Sequence, residues 1–192
     1  MQKLIHGLAM SAVMCAAAAG LRAQEPMKHG MDTTVMVGGA PMRRSMDIID
    51  NAVNSKDHTT LVAAVKAAGL VATLKGSGPF TVFAPTNTAF EALPAGTVDT
   101  LLKPENKAML TKILTYHVVA GRLDAEGLEA QAKANGGKAM LKTVSGGTLT
   151  VMKKGSAWVV SDEKGSTATI TIPNVFQSNG VIHVVSSVLM PS

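Results

Sequence analysis

The sequence is poor in cysteine and in aromatic side chains, with one Cys, one Trp, one Tyr and four Phe in 192 residues. One cysteine cannot close an internal disulfide or supply a thiolate zinc site. With aromatics at 3%, the core has to be assembled from Val, Leu, Ile, Ala and Met. Charge of one sign is not concentrated either. The net charge is only +5, and the longest basic runs are Arg43-Arg44 and Lys153-Lys154. Nucleic-acid binders gather Lys and Arg on one element and often add stacking aromatics, so no nucleic-acid partner is expected. No apolar run reaches the roughly 20 residues that span a bilayer, and no membrane anchor is expected. Nucleophile elbow, phosphate loop, dinucleotide fingerprint and His-Glu-x-x-His are all missing. Gly76-Ser77-Gly78 leads into Pro79 and a strand, which makes it a turn. The chain reads as non-enzymatic, with no catalytic residue, cofactor or metal assigned.

What is present is ample apolar material. A hydrophobic fraction of 46% excludes a disordered chain, and 18 glycines without a three-residue period exclude collagen. Residues 1–23 read as a secretory signal: Lys3 gives a basic start, Gly7 to Gly20 an apolar stretch, and Ala23 a small cleavage residue. Cys15 does not read as a lipoprotein acylation site, because Met14 precedes it and the apolar run continues beyond it. Cleavage after Ala23 removes Lys3, Arg22 and Cys15, lowers the net charge to +3 and leaves a cysteine-free chain. The expected location is the periplasm or the cell exterior.

Residues 24–45 read as a Met-rich flexible lead, with Gly38-Gly39 and Pro41 breaking any regular element. The domain is expected over 46–192. Ile48, Ile49, Ala52 and Val53 recur at helical spacing, as do Leu61, Val62, Val65 and Leu70. Asp57 is the expected N-cap of the second helix and Gly69 its stop. Phe80 to Phe83 reads as a strand closed by Pro85. Pro104 is expected to open a helix with an apolar face of Met109, Leu110, Ile113 and Leu114. Tyr116 to Val119 reads as a strand, and a short helix is expected near Asp124 to Ala130. Five β-type runs follow: 139–144, 148–152, 158–161, 167–172 and 181–189, with Asn179-Gly180 as a hairpin turn. Helices in the first half and strands in the second indicate an α+β fold.

Three phrases, "TVFAPTNTAF" (Thr81 to Phe90), "TYHVVAG" (Thr115 to Gly121) and "NGVIHVVSSVLMP" (Asn179 to Pro191), resemble the signature boxes and the Tyr-His motif of the fasciclin domain. The upstream Asp47 to Leu70 is similar to the family's opening helices. The resemblance implies a wedge-like β-sandwich flanked by helices, a secreted or surface location, and adhesion or extracellular binding without a catalytic centre. Short, single-domain, exported bacterial members are the nearest type. The partner it implies is an extracellular or cell-surface protein or glycan.

Most of the signature is folding instruction. Thr81, Phe83, Pro85, Thr86, Asn87, Phe90, Asn179, Gly180 and His183 are expected to act structurally, with Thr86 capping a helix that begins near Asn87. His58, His117 and His183 read as histidines satisfied by local or backbone hydrogen bonds, since no Asp, Glu or His stands at ligand spacing beside His117 or His183. Tyr116 and His117 are the candidate adhesion motif, carried over from the resemblance alone. Two further readings stay open. An apolar groove between helices and sheet, widened by Met side chains, would suit a small apolar ligand such as a carotenoid. The thioethers of Met27, Met31, Met36, Met42 and Met46, with His29, would suit Cu(I), although their spacing is irregular.

Overall fold

The structure, a computed structural model, describes residues 34–191. It begins with β1 (Val35–Val37) and β2 (Ala40–Met42), an antiparallel hairpin in which Val37 faces Ala40. Gly38 and Gly39 form its two-residue loop at φ 58° and 74°. A loop of this kind needs positive φ at both positions, which glycine adopts without steric cost. The flexible lead expected over 24–45 is therefore corrected for residues 34–45: the paired glycines make a turn, and Pro41 is tolerated in a two-stranded ribbon where no ladder continues past it. Val37 and Met42 are buried in the core, while Met36 on the opposite face is 58% exposed. Residues 24–33 and the signal segment 1–23 lie outside the described residues.

The helical half follows. In α1 (Ile48–Ala52), Asp47 is the N-cap and accepts from Asp50 N at 2.8 Å. Asp57 does not cap the next helix. It sits within a 3₁₀ turn, Lys56–His58, that runs directly into α2 (Thr59–Ala68), so no capping position is left for it. Gly69 ends α2 as expected. After α3 (Val71–Leu74) comes β3 (Phe80–Pro85), and then α4 (Asn87–Glu91), capped by Thr86. Beyond α5 (Thr97–Leu101), Pro104 opens a 3₁₀ turn, and α6 (Lys107–Tyr116) buries Leu110, Ile113 and Leu114. Met109 does not join that face; it is 58% exposed, at the margin of the buried stripe that begins at Leu110. Tyr116 closes this helix and does not begin a strand.

β4 (Val118–Ala120) leads to α7 (Ala125–Ala134), whose N-cap Asp124 accepts from Gly127 N at 2.8 Å. The strands β5 (Lys138–Lys142), β6 (Thr148–Lys154), β7 (Ala157–Ser161), β8 (Thr167–Gln177) and β9 (Gly180–Val185) complete the sheet. The loop between β8 and β9 is Ser178-Asn179; Gly180 already pairs with Gln177, so the turn lies one residue earlier than the Asn-Gly pattern suggests. The seven strands run in the order β4-β3-β9-β8-β7-β6-β5. The fold is α+β, with helices α1 to α6 in the first half. Its two layers are the two parts of one nearly closed sheet. β8 is shared between them: Thr167–Thr169 pairs with β7 and Ile170–Gln177 with β9, with register shifts at Ile170/Ile172 and Ile172/Val175.

β3 and β9 are parallel and central, which explains why both runs are apolar without alternation. Val82, Ala84, Ile182 and Val184 face a core shared with the helices. Phe83, Val181 and Val185 are buried as well, Phe83 and Val185 in a second core lined by β5 to β8 and α7. The two end strands β4 and β5 meet at a single bridge, Val119 to Thr143, with Val144 N donating to Val118 O at 2.8 Å.

Candidate functional site

The Tyr-His motif lies where α6 turns into β4. His117 is the residue after the last helical turn, and its ring serves that junction. Nδ1 lies 2.8 Å from the Ile113 carbonyl and Nε2 is 3.0 Å from the Leu189 N–H. A carbonyl can only accept and a backbone N–H can only donate, so the ring is neutral with its proton on Nδ1. Burial lowers its pKa to about 4, against weaker opposing effects from the Ile113 carbonyl and Asp162. Tyr116 is fully enclosed at 0% exposure; its hydroxyl donates to Thr148 O at 2.9 Å and accepts from Glu163 N at 3.2 Å. A Cβ on Gly147 would lie 2.5 Å from its ring, so Gly147 is fitted to the tyrosine. Neither side chain of the candidate adhesion motif can touch a partner. Any part the motif plays in adhesion is then indirect, because both groups are taken up by the junction they hold.

His183 is spent in the same way. Nε2 donates to Leu123 O at 2.8 Å, Nδ1 accepts from Asn174 N at 3.4 Å, and the ring stacks on Phe83 with centroids 5.6 Å apart. Burial again lowers its pKa. His58 differs. Ser55 Oγ is 2.9 Å from Nδ1, but Nε2, which faces the Ala84 carbonyl, is buried without a well-formed hydrogen bond. Among the described residues no group of three His, Cys, Asp or Glu could hold a metal ion.

The other signature residues are ties between elements. Thr81 Oγ1 donates to Gly121 O at 2.7 Å and accepts from Leu123 N at 2.9 Å, which fixes the exit of β4. Asn87 accepts from Thr60 N at 3.1 Å and donates to Lys56 O at 2.8 Å, joining α4 to the start of α2. Asn179 accepts from Ile48 N at 3.1 Å and donates to Leu74 O at 2.7 Å and Gly76 O at 3.1 Å. At Gly180 any Cβ would strike the Phe80 carbonyl. Thr86 caps α4, Pro85 ends β3, and Phe90 returns to the core at 5% exposure.

Asn51 and Asp162 are among the buried polar groups that sequence reasoning missed. Asn51 brackets Arg43 through its N–H (2.9 Å) and carbonyl (2.7 Å) and donates to Gln177 Oε1. Asp162 accepts from Lys164 N, Ser166 N and Met190 N at 3.0, 2.8 and 3.0 Å. The Asp-x-x-Gly turn at 162–165 was a readable signal for the second; Asn51 gave none, since an Asn within a helical run is ordinarily solvated.

Two spaces bear on ligand binding. A cavity of about 40 Å³ lies between helices and sheet, bordered by apolar side chains such as Ile49, Leu61 and Val82 and by the rings of His58 and His117. A water needs roughly 10–15 Å³ and a benzene-sized guest on the order of 150 Å³, so this space does not admit a carotenoid in the conformation described. The Met set is also thinned, since Met42 is core and Met36 points outward; Met27, Met31 and His29 lie outside the described residues. The second space is an open groove of about 630 Å³ between the diverging ends of β4 and β5. Residues 119–123 form one wall, 140–144 the other, and Gln131 of α7 borders it. Met140 and Val144 are 68% and 48% exposed there. No helix among the described residues is long and apolar enough to cross a membrane.

The fasciclin domain model matches residues 56–191. Protein sll1483 of Synechocystis sp. is 46% identical over 165 residues, covering 84% of this chain and 84% of its own. Immunogenic protein MPT70 of Mycobacterium tuberculosis is 39% identical over 145 residues, covering 73% of this chain and 66% of its own. The solved FAS1 domain pair from the insect cell adhesion molecule Fasciclin I superposes with a TM-score of 0.67 at 15% identity, over 74% of this chain and 50% of that one. At that identity the superposition speaks for the fold alone.

Proposed function

The chain belongs to the fasciclin domain family, and from that membership we propose that it is a non-catalytic binding module, exported from the cytoplasm and used in adhesion or surface attachment. Its partner is an extracellular or cell-surface protein or glycan. The observation that carries the reading is the use made of Tyr116, His117 and His183. Each is enclosed and committed to backbone groups, which leaves them to hold a frame and not to perform chemistry. The Tyr-His motif then serves attachment by positioning the start of β4 and the 146–148 turn beside the open groove. The basic, apolar start of the sequence with Ala23 as a cleavage residue supports export.

The test is made in the source organism. Deleting the gene should reduce retention of cells on a surface under flow, and restoring the full chain should recover it; unchanged retention on deletion overturns the adhesion reading. The protein recovered from the exported fraction should begin at or near Gln24 by mass.

A further inference from the structure

The groove lies between the two ends of the sheet. β4 and β5 meet only at Val119 and Thr143, in antiparallel sense, and then diverge on either side of α7, which connects them. β5 pairs with β6 on one side and leaves its other edge open beyond that bridge.

The direction of the free peptide groups follows from the ladder. Thr143 N donates to Gly147 O at 2.9 Å, so this pair is hydrogen-bonded within the β5–β6 hairpin. Bonded and non-bonded pairs alternate along an antiparallel ladder. Leu141 and Ala139 are therefore bonded to β6, while both peptide groups of Met140, the Lys138 carbonyl and the Lys142 N–H turn towards the open edge; the Lys138 N–H already reaches Asn135 O at 3.4 Å. Val144, of the same parity, already uses its N–H on Val118 O. Ala139 and Leu141 are buried; Lys138, Met140 and Lys142 are exposed on the outer face.

An edge with free peptide groups takes up an extended strand when the side chains permit it. The outer side chains here alternate Lys, Met, Lys, and neither lysine has an ion-pair partner among the described residues. Arg122, on the opposite wall, adds positive charge while donating to the Gln177 and Ser178 carbonyls at 3.1 and 3.4 Å. A second copy is disfavoured: antiparallel self-pairing centred on Met140 would set Lys138 opposite Lys142, and like charges directly opposite are destabilising. An acidic strand meets the same lysines with favourable sign. The groove volume of about 630 Å³ lies within the range of ordinary ligand clefts.

We propose that the open edge of β5, with the diverging end of β4 as the far wall, receives an extended peptide segment of alternating acidic and apolar side chains, which adds a strand to the sheet. This rests on the binding-module reading and names the chemistry of its partner.

Fluorescein-labelled Glu-Val-Glu-Val-Glu-Val-Glu, its Lys-Val counterpart, and the acidic peptide N-methylated at both residues of its central Val-Glu pair, which blocks the ladder in either strand direction, are titrated against the exported full-length protein by anisotropy. Saturable binding of the acidic peptide is expected, with at least tenfold weaker binding of the Lys-Val and N-methylated peptides. Lys138→Glu with Lys142→Glu should weaken the acidic peptide at least tenfold and admit the Lys-Val peptide; a thermal melt checks that this surface variant is folded. Equal binding of the N-methylated peptide would mean that only charge is read, and overturns strand addition. Equally effective competition by an anionic polysaccharide overturns it too. Concentration-dependent dimerisation that blocks the peptide would assign the edge to a second copy. Absence of acidic-peptide binding at 1 mM (roughly −4 kcal/mol) sinks the inference. Surface attachment in the deletion strain is read independently, so each reading can fail alone.

Discussion

Through one imidazole, His117 fastens the end of α6 to Leu189, 72 residues further along the chain. Its Nδ1–H is donated to Ile113 and its Nε2 accepts from Leu189, an arrangement open only to the neutral ring.

Stability should therefore depend on pH in a defined window. In the unfolded chain His117 takes up a proton near 6.5, whereas in the folded protein it does so only near 4. As pH falls below about 6.5 the unfolded state binds more protons, so stability is complete above that value and declines towards pH 4. The full decline from His117 is roughly 3 kcal/mol. His58 and His183 are shifted in the same direction by burial and add to it. Urea midpoints measured from pH 8 to pH 4 should fall monotonically. A flat profile between pH 7 and pH 4.5 would contradict neutral buried histidines.

Tyr116→Phe keeps the ring but strands the Thr148 carbonyl and the Glu163 N–H. A cost of about 1–2 kcal/mol is expected in chemical denaturation. Gly147→Ala, which presses on the same ring, should cost about 1–3 kcal/mol. Combining Gly147→Ala with Tyr116→Ala should relieve that pressure, so the double-mutant cycle shows coupling of at least roughly 0.5 kcal/mol. Additive costs would separate the two sites.

Asn179 spends its amide on α1, α3 and the residue after α3's cap. Asn179→Ala leaves Ile48 N and two carbonyls without that partner, and a loss of about 2–3 kcal/mol follows. For a chain of this size the melting temperature should fall by roughly 4–12 °C. A shift below 2 °C would show that these ties are dispensable.

The hairpin β1–β2 belongs to the folded unit. Removing residues 1–33 should leave the melting temperature within a few degrees of the exported protein, whereas removing 1–45 exposes the core beneath Val37 and Met42 and lowers it sharply. Met42→Ala alone should cost about 2–5 kcal/mol. If both truncations melt alike, the domain begins after Ser45 as the composition suggests.

The order of helices and strands, the caps at Thr86 and Gly69 and the central β3 were legible because each has a local cause. A hydroxyl before a helix, a glycine after one and an unbroken apolar run between turns act within a few residues. What escaped the sequence is non-local. Gly38-Gly39 reads as a breaker until the strands on either side find a core to cover. Tyr116 has strand propensity but is taken by the last turn of α6, where packing outweighs preference. Met109 is apolar at helical spacing from Ile113, yet it falls at the margin of the stripe that α6 buries. The surroundings of the candidate adhesion motif were hidden from the sequence for the same reason. Tyr116 and His117 stand out only through the resemblance of their motif, and the packing that encloses them comes from distant segments. The open edge of β5 carries only Lys, Met and Lys, a pattern with no motif to mark it.

β8 has a consequence for how the protein comes apart. One continuous segment of eleven residues gives its first part to β7 and the rest to β9, and so serves both apolar interiors. Neither interior can loosen without drawing that segment away from the other. The domain has no severable half. A load applied at the surface is thereby passed from one interior to the other through a single shared segment.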